Sequence, residues 1–182
     1  VLLVLIFGNY LIGIFNKLVN LKNNYEKAFG NIDVILMQRA EEIPNIVKVA
    51  QRFLEHETSL LTDLTKLRTD FLNASSIDEK INNSIEFSKA IKSLFAVSES
   101  YPILSSNNNF VELQKRVSVL EDKIADRREF FNDSVNFYNI GIQEFPNLIV
   151  AKTLGYSSKS LFPISENQKA YSRRSSCRKR SV

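Results

Sequence analysis

Few residues in this chain have chemistry to offer. The single histidine, His56, lies in LEHET between Glu55 and Glu57. A metalloprotease site needs two histidines four residues apart around a glutamate, and a serine-hydrolase site needs a nucleophile-elbow sequence. Neither accompanies His56, which reads as a surface or bundle-edge residue. The single cysteine, Cys177, has no intrachain partner, and one Cys with one His cannot supply the usual zinc ligands. Glu41 and Glu42 could suggest a glycosidase pair. However, neighbouring helical positions diverge by about 100° and cannot face one substrate. They read better as charges near a helix start, should a helix begin at Pro44. No catalytic residue, cofactor or metal is expected.

The most informative charge is Arg127, because it falls on a predicted helix seam. It reads as a side chain snorkelling to solvent and paired with Glu99 or Asp33. The functional alternative is a buried cation that binds an anionic ligand. The sequons at Asn73, Asn82 and Asn132 recur by chance, and Asn45, Asn73 and Asn82 read as cap or loop residues.

The elements that would carry these residues are helices. With five glycines and four prolines in 182 residues, the turns of an all-β domain are hard to supply. Leu18, Leu21, Tyr25, Ala28, Ile32, Ile35 or Leu36, Ala40 and Ile43 form a stripe at steps of three and four. It resumes beyond Pro44 at Val47, Ala50, Leu54, Leu61, Leu64 and Phe71, shifted by about one residue. With no Gly or Ser beside it, Pro44 predicts a kink or tight break rather than a looped reversal. Ser76 with Glu79 forms a capping box that opens a helix over about 77–100, and Tyr101-Pro102 ends it. SSNNN (105–109) is a loop with candidate N-caps. A last helix follows with a seam of Phe110, Leu113, Val117, Leu120, Ile124, Arg127, Phe131, Ser134, Tyr138, Gly141 and Phe145. Phe130, Phe137 and Phe145 are candidates for a partner face, though core packing would explain most of them.

Residues 1–16, VLLVLIFGNYLIGIFN, carry no charge. They predict a transmembrane anchor, completed by residues before Val1. Lys17, Lys22 and Lys27, opposed by Glu26 alone, favour a cytoplasmic body. At the other end, Arg173, Arg174, Arg178, Lys179 and Arg180 are five of the 24 cations, and no acid lies among them. The rest of the chain is thus near neutral, which disfavours a nucleic-acid-binding face. This tail is expected to be disordered and suited to weak contact with anionic lipid.

The blocks FNKLVNLKNNYEKAFGNIDVILMQRAEEIPNIV, HET, LFAVSESYPIL, NNNFVELQ, EDKIADRREFFNDSVNFYN and FPNLIVAKTLGY, in this order after an apolar start, resemble the LemA family of bacterial membrane-associated proteins. The resemblance implies one N-terminal transmembrane helix and a helical bundle on the inside of the cytoplasmic membrane, with no established activity or ligand. Departures from the family pattern fall at Met37, Gln38 and Arg39, and in the tail SRRSSCRKRSV. The expected architecture is all-α, an N-terminal transmembrane helix followed by an antiparallel bundle of three to four long helices. Residues 1–16 form the anchor, 17–146 the bundle, 147–170 a C-terminal extension and 171–182 the tail. The expected role is a non-enzymatic scaffold or interaction module with unknown protein partners. The alternative is a ligand sensor or enzyme built around Arg127.

Overall fold

The computed structural model describes residues 1–163, and these contain helices and no strand. The helices are α1 (Leu2–Ala50), α2 (Thr58–Asn73), α3 (Ile77–Ser98), the one-turn α4 (Pro102–Ser105), α5 (Asn108–Gln143) and α6 (Asn147–Thr153). The 49 residues of α1 give it a length of about 73 Å.

An isolated amphipathic helix is marginal in water, and burial of its apolar stripe is what holds it. The α1 stripe, from Leu18 through Tyr25, Ala28, Ile32, Leu36 and Ala40 to Ile43, is buried against α5. The two run antiparallel. Lys17 pairs with Glu144, Tyr25 packs on Tyr138 with ring centroids 4.8 Å apart, Phe29 on Phe131 at 5.8 Å, and Arg39 meets Glu121. The α2–α3 hairpin lies over the C-terminal half of α1, with Arg68 reaching Ala40 and Lys80 reaching Asp33. Together these make an up-down-up-down four-helix bundle. Beyond the hairpin the α1–α5 pair continues alone, covered by α6 and the extended segment after it.

Pro44 causes no reversal, since α1 continues through it to Ala50. A proline removes the N–H that would bond the carbonyl four residues earlier. Here that carbonyl is Ala40 O, and the Arg68 Nε of α2 donates to it at 2.8 Å. With its ring exposed to solvent, Pro44 disturbs no packing. The reversal lies seven residues later, at 51–57, where buried Leu54 pins a turn built from Phe53 N→Ala50 O (2.9 Å) and Glu57 N→Leu54 O (3.2 Å). Because no helix begins at Pro44, Glu41 and Glu42 are not helix-start charges.

The capping box of α3 is present, with the Glu79 N–H donating to Ser76 Oγ at 3.1 Å. Asn107 caps α5, its side chain accepting from Phe110 N at 3.2 Å. The α5 seam departs from the heptad reading after Ile124. Val135 is buried where Ser134 was expected inward, Ile142 is buried beside Gly141, and Phe145 is exposed, while Phe131, Tyr138 and Gly141 stay on the seam. A helix satisfies 4-then-3 steps as well as 3-then-4, and after Ile124 two of the strict a/d positions give way to the next residue, Arg127 to Arg128 and Ser134 to Val135. At Gly141 the Leu21 side chain of α1 occupies the space a Cβ would need.

The transmembrane anchor expected over residues 1–16 is not supported by this helix. Among the described residues no helix is long and apolar enough to cross a membrane. Gly8, Asn9 and Gly13 dilute the stretch, and Ile14 and Leu18 are already buried in the bundle. The described turns before Ile14 nonetheless project apolar side chains into solvent, among them Leu3, Leu5, Ile6, Phe7, Tyr10 and Ile12. The tail cations Arg173, Arg174, Arg178, Lys179 and Arg180 lie outside the described residues.

Candidate functional site

Arg127 points into solvent, which removes the basis for a ligand site around it. Glu99 is also exposed, at the C-cap of α3, and Asp33 pairs instead with Lys80 at 2.7 Å. The arginine in the core is Arg39, 0% exposed. Its guanidinium enters from α1 between α3 and α5. There Nη1 donates to the Glu121 carboxylate and to Ser88 Oγ (2.5 Å), and Nη2 donates to the Ser84 carbonyl (3.3 Å). The Phe87 ring lies under it, 4.9 Å from centroid to guanidinium carbon. Burial lowers its proton affinity and Glu121 opposes that. An arginine starting from so high a value stays charged. Arg39 Nε has no hydrogen-bond partner among the described residues. The cluster ties three helices together, because a buried guanidinium is stable only where its partners are in place.

The inward partner of the Arg127-Arg128 doublet is Arg128, whose guanidinium stacks on the Phe162 ring at 4.3 Å. Phe162 belongs to an extended strap after α6 that sequence periodicity did not reveal. Two asparagines of α5 clamp it. Asn132 Nδ2 donates to Phe162 O (2.8 Å) and Asn132 Oδ1 accepts from Phe162 N (2.7 Å). Asn139 does the same with Lys159, at 2.9 and 2.8 Å. The spacing matches: seven helical residues rise about 10.5 Å, and three extended residues span about 10 Å. A sequon position, Asn132, is thus a buried structural clamp.

The remaining candidates are surface features. His56 is exposed in the α1–α2 turn, and among the described residues no group of three or more His, Cys, Asp or Glu is placed to hold a metal. Glu41 is exposed, while Glu42 pairs with Arg116 of α5 at 3.4 Å. The three phenylalanines are not core residues. Phe130 is 59%, Phe137 66% and Phe145 82% exposed. Phe130 and Phe137 edge a groove between α1 and α5 with Leu21 and Ala28, and a separate hollow between the same two helices is lined by Glu41, Glu42, Lys115 and Lys123. Tyr25 and Tyr138, packed at a tilt in the seam, have their hydroxyl pKa values raised, mainly by burial.

A model of the LemA family matches residues 28–173. The chain belongs to the LemA family. Similar proteins include Magnetosome protein MamQ 2 and Magnetosome protein MamQ 1 of Paramagnetospirillum magneticum. Each is 24% identical over 175 residues, and each alignment covers 81% of this chain and 64% of the relative. Magnetosome protein MamQ of Magnetospirillum gryphiswaldense is 23% identical with the same coverage. The chain therefore spans slightly under two thirds of these relatives' length. The LemA match opens at Ala28, inside α1, so it takes in the Arg39 cluster, the four-helix end and the clamped strap, while the exposed apolar turns of α1 precede it.

Proposed function

We propose that this LemA-family bundle is a membrane-associated scaffold on the cytoplasmic face of a bacterial membrane. The apolar end of α1 enters the bilayer, and the α1–α5 face holds a protein partner. The observation that carries the reading is the run of exposed Leu3, Leu5, Ile6, Phe7, Tyr10 and Ile12 at one end of a helix otherwise buried by its bundle. A contiguous apolar surface of this kind marks a membrane or partner contact. The lysines just beyond it support the cytoplasmic side. Lys17 is partnered by Glu144 at 2.9 Å and Lys22 by Glu26 at 3.8 Å, which leaves Lys27 as the freest of the three. A scaffold rather than a catalyst fits the charges as well: Arg39, Asp33 and Glu42 are each engaged by another helix.

Flotation with vesicles of phosphatidylcholine and phosphatidylglycerol tests the membrane reading. The chain is expected to float with them, and Leu5→Glu with Ile12→Glu to weaken binding at least about tenfold. A chain that stays at the bottom of the gradient would refute it. Crosslinking in native membranes from the α1–α5 groove should recover a protein partner. Recovery of none from Phe130 or Phe137 would remove the scaffold reading.

A further inference from the structure

The apolar end of α1 is not alone at its end of the molecule. The corner where α5 turns into α6 lies beside it, with Ile6, Tyr10 and Gly13 facing Phe145 and Pro146 across a shallow groove. The Lys17–Glu144 ion pair borders the groove toward the bundle. The corner is well held. Asn147 is buried, and its amide donates to the Gly141 carbonyl at 3.0 Å and to Glu144 at 3.4 Å. Yet this bonded turn places Phe145 almost wholly in solvent and leaves Ile149 and Ile140 exposed near it. An aromatic residue displayed on a fixed turn is built for contact, since nothing in the corner's own packing needs it outside.

Along α1 the corner stands level with residues 6–17, from the inner part of the apolar run placed in the bilayer above to the lysine just beyond it. We infer that the Phe145–Ile149 corner is a second membrane contact, seating Phe145 at the headgroup–acyl boundary of the leaflet that receives the end of α1. This rests on the membrane reading given above. The occupant is lipid rather than protein because the corner's apolar surface continues across the groove onto the α1 turns and stops at the charged Lys17 and Glu144. An apolar tip bounded by charges is the layout of an interfacial contact. One helix end leaves the bundle free to tilt. Two contacts on one leaflet fix its orientation and direct the α1–α5 face consistently relative to the membrane.

The test uses the full chain carrying Cys177→Ser, with an environment-sensitive fluorophore placed singly at Leu5→Cys, Phe145→Cys or Ile103→Cys. All three positions are exposed, so labelling leaves the core intact. Vesicles of phosphatidylcholine and phosphatidylglycerol in equal parts carry a nitroxide near the headgroup on one lipid. Labels at 5 and 145 should be quenched at least about twofold, and the label at 103, at the far end of the bundle, should not be. Phe145→Glu should weaken vesicle binding about tenfold. Quenching at 5 without quenching at 145 overturns the corner contact and leaves the membrane reading standing. Quenching at neither overturns both. A change at 145 that appears without vesicles and grows with protein concentration also overturns it, assigning the corner to a second copy of the chain.

Discussion

Arg39 brings a full charge into a core of aliphatic and aromatic side chains, and the two ends of its ion pair are unequal. Arg39 has no exposure, whereas the Glu121 side chain keeps 24% of its surface in water. Removing Glu121 therefore strands a cation that cannot rehydrate, while removing Arg39 leaves a carboxylate that can turn outward. Glu121→Ala should cost about 3 kcal/mol or more, and the size-matched Arg39→Met about 1–2 kcal/mol or less, because a packed apolar replacement of a buried ion is often close to neutral. Urea unfolding of both variants checks this, and equal losses would count against the asymmetry. The sequence showed Arg39 only as a departure from the family pattern. It promoted Arg127 because strict heptad counting put that residue inward. Side-chain chemistry could not correct the error, since the choice between the neighbouring Arg127 and Arg128 rests on which way the helix turns after Ile124.

At the scale of elements, the helices themselves were legible wherever a cap or a period spoke for them. The capping box at Ser76, the apolar stripe of α1 and that of α5 as far as Ile124 appear where the residues place them, and of the candidate N-caps in SSNNN it is Asn107 that caps α5. Pro44 was readable as a helix that does not reverse, but its compensation was not, because the donor to Ala40 O comes from Arg68 on a different helix. That pair makes a prediction. Arg68→Ala should destabilise by about 1–2 kcal/mol, as loss of a charged donor does. In a Pro44→Ala background residue 44 supplies its own N–H, so the loss should shrink by about 1 kcal/mol. A double-mutant cycle without coupling would show that the Ala40 carbonyl is satisfied some other way. The start of α3 predicts a pH effect. The Glu79 carboxylate accepts from Ser75 N at 3.0 Å, Ser75 Oγ at 3.2 Å and Ser76 N at 3.4 Å, which hold its pKa below the usual carboxylate value. A depressed carboxylate contributes stability above its unfolded pKa and loses it as the pH falls through its folded value. Glu79→Gln should therefore be less stable than the parent at pH 7, and the gap should close in acid below about pH 4. A gap that is the same at both pH values would remove Glu79 as the cause.

For the whole molecule, the order of helices and the antiparallel pairing followed from short links between amphipathic stripes, but the strap did not. YSSKSLFP has neither a helical nor a strand period, and its receptors, Asn132 and Asn139, align only once α5 has the phase the structure gives it. The strap matters to the molecule because the α1–α5 pair runs on past the α2–α3 hairpin. Without a cover, the seam around Phe29, Phe131 and Tyr138 would be open to water. Phe162, wholly buried beneath Arg128, and Tyr156, packed 6.2 Å from Tyr138, supply part of that cover. Asn132 is the residue on which the closure turns. Its amide meets both backbone groups of Phe162, so Asn132→Leu keeps the volume and leaves a buried N–H and C=O without partners. At roughly 1–3 kcal/mol per stranded group, the loss should reach about 2–4 kcal/mol. Asn139→Leu, acting on half-exposed Lys159 where water can replace it, should cost about 1 kcal/mol or less. If the strap is released as a unit, Asn132→Leu should also expose the amide of Phe162 to rapid hydrogen exchange and the chain after Lys159 to trypsin. Unchanged exchange at Phe162 in a variant of parental stability would mean that Phe162 is held by its ring alone, with the clamp contributing nothing.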